Sequence, residues 1–196
     1  MKSVYNFVVT PKGERYNNKK KVGDSELILN TEIYNHQYTN REAIVISTPI
    51  IGDTDIKPGD TVVVHHNVFR RWHNVNAEEK NSRSYFDEST YLVNSDQIFL
   101  YKRNKEWITP KGYCFVKPLL NKRILSYNPE MPLVGVVKHS DGSFKKGELV
   151  GFTPNSEYEF IIDKERLYRV MTQFITIKYE YQGDEEEYNP SWAESS

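Results

Sequence analysis

The chain has little with which to cross-link itself, enter a membrane or hold a polyanion. Cys114 is the only cysteine in 196 residues. That excludes an intramolecular disulfide and any zinc site built on a cysteine cluster, and it fits a reducing cytoplasm. No apolar run approaches the roughly 18 residues of a membrane-crossing helix, and the first residues lack the apolar core of a secretory leader. The formal net charge is −1, so electrostatics gives no reason to expect a nucleic acid or an anionic membrane as partner. No segment sustains a helical apolar period. Gly-rich phosphate loops are absent, and no cofactor is expected.

What is present is β-forming. Hydrophobic residues make up 38% of the chain and aromatics 13%, with 14 Tyr and 9 Phe. Large rings let a small β domain bury enough area with few aliphatics. Short β-branched or aromatic runs recur: Val4–Val9, Ala43–Ile46, Thr61–Val64, Tyr113–Val116, Leu133–Val137 and Phe174–Ile177. Asp163-Lys164-Glu165 sits between two such runs and reads as a hairpin turn. Lys57-Pro58-Gly59-Asp60 suits a type II turn, with Pro presetting the first central residue and Gly accepting positive φ at the second. Many short strands punctuated by turns predict an all-β fold.

One pattern occurs twice. Asp55 to Val64 followed by Tyr91 to Leu100 is echoed by Ser143 to Phe152 followed by Tyr168 to Ile177. Lys57 matches Lys145, Gly59 matches Gly147, and Asp60 matches Glu148. Tyr91/Tyr168, Val93/Val170, Ser95/Thr172 and Ile98/Ile175 keep one spacing. A repeat of this size predicts two copies of one small fold. The expected organisation is a first domain over 1–103, a second over 107–181, and an acidic, flexible tail over 183–196. The charged stretch Lys102–Glu106 reads as the boundary. Lys12 to Arg41 and Arg70 to Glu88 read as polar insertions of the first copy.

The order of these blocks resembles the GroES-type co-chaperonin family. Val116-Lys117-Pro118 ends an opening strand. Gly135-Val136-Val137, the Lys145 to Phe152 turn and strand, the Tyr158 to Val170 hairpin and Ile175 to Ile177 follow. Repeat one runs in the same order, and the fused form resembles co-chaperonin-like proteins encoded by bacteriophages. The resemblance implies two tandem, partly open β-barrels and a non-enzymatic, oligomeric chaperone of the host cytoplasm. Such a protein caps a GroEL-type chaperonin ring and assists protein folding, here of phage capsid proteins. It also implies a loop after the first strand that carries an apolar tripeptide for the chaperonin. The positional match is Leu27, Ile28 and Leu29 inside the polar stretch from Lys12 to Arg41. The other reading of that triplet is an ordinary buried strand. Repeat two is too short after Pro118 for a comparable loop, and neither repeat has room for the family's roof hairpin. A structural or assembly protein that keeps the barrel for its shape is the alternative function. Pairing of exposed strand edges predicts a homo-oligomer, with Val4–Val9 and Phe174–Ile177 near the interfaces.

Other signals reduce to ordinary roles. Gly23-Asp24-Ser25-Glu26 resembles an esterase nucleophile block but follows three lysines and has no late Asp-x-x-His, so it reads as a turn. His65, His66 and His73 form no metal set: on a strand the first two point to opposite faces. The run from His65 to Trp72 mixes bases with aromatics, yet it is short. Trp192 stands alone in the polar tail, as disorder or as a short docking motif.

Overall fold

The computed structural model describes residues 2–16, 19–22, 25–28, 39–122, 129–180 and 185–194, with 19–22 and 25–28 taken as backbone. The chain is all-β. Unit 1 (Met1–Trp107) contains β1 (Phe7–Pro11), β2 (Lys19–Val22), β3 (Ser25–Ile28), β4 (Glu42–Ser47), β5 (Thr61–Val64), β6 (Arg71–His73), β7 (Glu79–Asn81), β8 (Tyr85–Asp87), β9 (Thr90–Val93) and β10 (Ile98–Arg103). The short β11 (Glu106–Ile108) follows and pairs with β10. Unit 2 (Ile108–Ser196) contains β12 (Tyr113–Leu120), β13 (Glu130–Ser140), β14 (Leu149–Phe152), β15 (Tyr158–Ile162), β16 (Glu165–Met171), β17 (Ile175–Tyr179) and a single helical turn, α1 (Ser191–Glu194). No helix among the described residues is long and apolar enough to cross a membrane.

The repeat is written into the sheets. Unit 1 has the order β11-β10-β5-β4-β1-β9-β8, and unit 2 the order β15-β16-β12-β13-β14-β17. Read from the opposite end and without β11, the first order is the second. Registers coincide as well. Val9 pairs with Tyr91 and Val45, and Val116 pairs with Tyr168 and Val137. A bulge falls between Val8 and Val9 and again between Phe115 and Val116. In each unit a 3₁₀ turn, Ser95–Gln97 or Thr172–Phe174, leads into the last strand of the repeat.

The Lys-x-Gly-acid turn is built alike in both. Gly59 and Gly147 take φ of 92° and 88°, a region costly for residues with a Cβ. The N–H of each donates to Val45 O or Val137 O at 2.8 Å, locking the turn onto the neighbouring strand. The carboxylate then closes the turn, since Lys57 N–H donates to Asp60 at 2.8 Å and Lys145 N–H to Glu148 at 3.2 Å.

Alternation places Phe7, Val9, Val45, Val62, Val64, Tyr91, Val93 and Ile98 in one apolar cluster with Phe69. The matching positions Cys114, Val116, Val137, Val150, Phe152 and Val170 build the cluster of unit 2. Burial pushes the Cys114 thiol up to about 12, with Asp141 adding to the shift, so the cysteine is packing rather than chemistry.

The all-β expectation holds, and both sheets are open in their strand pairing. Other expectations are revised. The charged stretch Lys102–Glu106 is the turn of the β10–β11 hairpin, with Asn104 and Lys105 at φ of 50° and 71°. Two successive positive φ values give the primed turn that suits strand twist. β1 lies mid-sheet between β4 and β9, so it offers no free edge, and of Val4–Val9 only Val4 and Tyr5 are exposed. The tail, expected to be loose, lies on unit 2. Leu119 and Glu187 form a bridge, Tyr188 N–H donates to Pro118 O at 2.8 Å, and Ala193 is buried. The reason is Pro118. The β12–β16 pairing stops at Val116 and Tyr168, and the tail takes the backbone groups beyond.

Two titrations set the expected pH profile. Burial lowers the His139 pKa, and Lys146 lowers it further. Its stabilising effect is therefore complete above the ordinary value of 6.5 and is lost as pH falls through the lowered folded value. Asp60 and Asp141 lie below 3.8: burial opposes their charge, but hydrogen bonds from Arg103 and from the Gly112 N–H respectively outweigh it. Their contribution is present above 3.8 and is lost below it. Urea midpoints against pH should thus decline in two steps, and His139→Gln should remove the upper one only.

Candidate functional site

The polar stretch from Lys12 to Arg41 leaves the sheet of unit 1 between β1 and β4 through a built neck. Asn40, 4% exposed, spends its side-chain amide and its N–H there. Its Nδ2 donates to Lys12 O and Glu14 O, both at 2.9 Å, and its Oδ1 accepts from Glu42 N–H at 2.9 Å. Its own N–H donates to Arg15 O at 3.1 Å. Just outside, Tyr16 and Thr39 form a β-bridge. The Tyr16 hydroxyl accepts from Arg71 N–H at 2.8 Å, and the Arg71 guanidinium lies 5.3 Å from its ring. Arg15 ties the neck to the insertion: Nε donates to Phe69 O at 2.7 Å and Nη2 to Asn81 Oδ1 at 2.6 Å. Its guanidinium also sits 5.5 Å and 5.6 Å from the Tyr85 and Tyr91 rings. Two chain ends 26 residues or more apart are thereby fixed.

Beyond the neck stands a two-stranded ribbon of β2 and β3, separate from the seven-stranded sheet. Lys19 pairs with Ile28, Lys20 with Leu27, Lys21 with Glu26 and Val22 with Ser25. Leu27 and Ile28 are therefore strand residues, but of this ribbon and not of the sheet that carries the core. Leu29 lies outside the described residues, as do Gly23 and Asp24 of the esterase-like block. Sequence reading found the triplet and missed its neck. Arg15, Tyr16 and Asn40 carry no motif, and their partners are distant in sequence.

The other candidates are dispersed. β5 ends at Val64, so His65 and His66 lie in the following turn with rings 4.3 Å apart, not on opposite faces of a strand. His65 Nδ1 accepts from Asn67 N–H at 3.1 Å. Val68 and Phe69 of the same run enter the core. Among the described residues no three His, Cys, Asp or Glu converge as metal ligands. Trp192 lies in α1, with the Arg166 guanidinium 5.7 Å from its ring. Arg166 also bonds Glu130, Glu159 and Tyr168, a network that holds the start of β13 to the β15–β16 hairpin.

The equivalent tyrosines differ in one respect that can be measured. Tyr91 is fully buried, edge-on to Phe69 at 4.7 Å, and among the described residues its hydroxyl has no hydrogen-bond partner. Tyr168 receives a hydrogen bond from Arg166 at 2.6 Å and donates one to Glu130 at 2.7 Å. Removing an unpaired buried hydroxyl relieves a desolvation penalty, whereas removing a paired one strands its partners. Tyr91→Phe should leave stability unchanged or raise it by about 1 kcal/mol, and Tyr168→Phe should lower it by about 1–2 kcal/mol. Chemical denaturation of both variants gives the two signs.

No family model matches the chain, and no curated protein or solved structure matches it either.

Proposed function

We propose that the chain is a non-enzymatic co-chaperonin-like protein of the GroES type, with its two open sheets read as partly open barrels of that family. It binds and caps a GroEL-type chaperonin ring in a host cytoplasm, with phage capsid proteins as the clients. The observation that supports this reading is the pairing of a twice-used strand order, each copy with its Lys-x-Gly-acid turn, with one separate two-stranded ribbon that carries Leu27 and Ile28 in the stretch beyond the neck. A short ribbon with apolar residues suits recognition by a groove or a sheet edge. A homo-oligomer fits the same reading, because β17 ends its sheet with Ile177 and Tyr179 exposed.

The test is capture of purified GroEL-type chaperonin on the immobilised protein, with and without ATP. Nucleotide-dependent capture supports the reading. No capture in either state removes it and favours the second reading, a structural or assembly protein, for which the open edge of β17 is the specific observation.

A further inference from the structure

Pro118 interrupts the strand pairing of unit 2 and thereby makes a seat. Proline has no N–H to donate, and β16 follows β12 only as far as Val116. Beyond that point β12 still presents Pro118 O and the Leu120 N–H. The tail satisfies both: Tyr188 N–H donates to Pro118 O at 2.8 Å, and Leu120 N–H donates to Glu186 O at 2.7 Å. An extended segment thus lies on a short edge, the arrangement of strand addition.

Side chains make that edge selective. The Glu187 carboxylate lies 2.7 Å from Lys138 Nζ and 3.6 Å from Nζ of the buried Lys117. Lys117 also donates to Glu165 at 2.6 Å. Two residues on, Asn189 closes the turn of the β15–β16 hairpin. Its Oδ1 accepts from Arg166 N–H at 2.9 Å, and its Nδ2 donates to Lys164 O at 3.2 Å. Pro190 follows and is buried. The seat therefore takes an extended segment that reads carboxylate, any residue, side-chain amide, proline. Glu187-Tyr188-Asn189-Pro190 is the one such run in the chain.

The hold on the tail is shallow. Of residues 185–194 only Pro190 and Ala193 are buried, and the Glu187 side chain stays 35% exposed. Segments with few buried apolar groups open at low cost. We propose that, when two chains meet, each seat takes the tail of the other. The matching run comes with every copy, every contact above is kept, and only the association itself costs free energy. Seat and tail both belong to unit 2, so the exchange is reciprocal and gives a two-fold dimer. This inference rests on the homo-oligomer of the proposed function and gives it a contact other than β17; it does not involve the chaperonin.

The test is the mass of the full chain by sedimentation and light scattering, with charges exchanged across the seat. The wild type should dimerise. Glu187→Lys and Lys138→Glu should each weaken dimerisation about a hundredfold, roughly tenfold at each of two seats, because like charges then face each other. Mixing the two variants should restore dimers, since in trans each tail meets a seat of opposite charge, which neither variant offers to its own tail. Melting temperatures confirm that the variants are folded. A labelled peptide of residues 185–194 gives a second readout: it should bind the Glu187→Lys chain, whose seat is unchanged, and not the Lys138→Glu chain. A monomeric wild type, dimers indifferent to both substitutions, or variants that fail to pair when mixed would overturn the proposal. A monomeric wild type beside peptide binding would overturn it too, and would assign the seat to a segment of another protein. Chaperonin capture, run separately, reports on the proposed function: dimers without capture leave this inference standing, and capture by a monomer leaves only the proposed function.

Discussion

Replacing Leu27, Ile28 and Leu29 with Ser should abolish binding to a GroEL-type chaperonin while leaving the melting temperature of the protein unchanged. Each apolar side chain buried at such a contact contributes about 1.5–3 kcal/mol. Losing three weakens one site by roughly three to six orders of magnitude. Several copies on one ring multiply the loss, because linked sites reinforce each other. The stability half of the prediction follows from the topology. Leu27 and Ile28 belong to the separate β2–β3 ribbon, and among the described residues the core of unit 1 is built from β1, β4, β5, β9, β10, Ile56 and the Val68–Phe69 segment. If the triplet were a core strand, the same substitutions would lower the melting temperature and give insoluble protein. Isothermal titration against the chaperonin and calorimetry of the free protein separate the two outcomes.

Asp60→Ala should cost about 2 kcal/mol or more and should be felt well beyond its turn. The carboxylate is 7% exposed. It accepts from Lys57 N–H at 2.8 Å and from Arg103 at 2.5 Å and 3.2 Å through both oxygens. Arg103 also donates to Asp55 O at 2.5 Å, so one guanidinium ties the turn to the end of β10. Removing the acid leaves the Lys57 N–H without its acceptor and Arg103 with Asp55 O in place of a paired carboxylate. Glu148 holds the equivalent place in unit 2, but its partner Lys178 is 60% exposed. Glu148→Ala should therefore cost clearly less, since solvent screens the pair. Guanidinium denaturation of both variants checks the order. Equal losses would mean that burial does not distinguish the two turns.

The parts of this molecule that were legible in the sequence are those made by neighbours in sequence. The Lys57–Asp60 and Lys145–Glu148 turns are set by Pro or Lys beside Gly and an acid, and the Asp163–Lys164 hairpin by two residues flanked by alternating strands. The spacing from Tyr91 to Ile98 and from Tyr168 to Ile175 then carries through to identical registers. What was not legible depends on distant partners. Asn40 reads as one more polar residue until Lys12, Glu14 and Glu42 surround it. The tail reads as mobile until Pro118 is seen to end the β12–β16 pairing and leave backbone groups for Glu186 and Tyr188. Asn104–Lys105 reads as a linker because its charges mask a turn that needs two left-handed residues.

The central claim is that one hairpin on unit 1 is the point of contact with a chaperonin. Hydrogen–deuterium exchange of the full chain, with and without a GroEL-type ring and nucleotide, tests it most directly. The account predicts slowed exchange confined to the hairpin around Lys19 to Leu29, with the core amides of β1, β5, β12 and β14 unchanged. No slowing anywhere, or slowing at β17 and its neighbours with the hairpin unaffected, would contradict it.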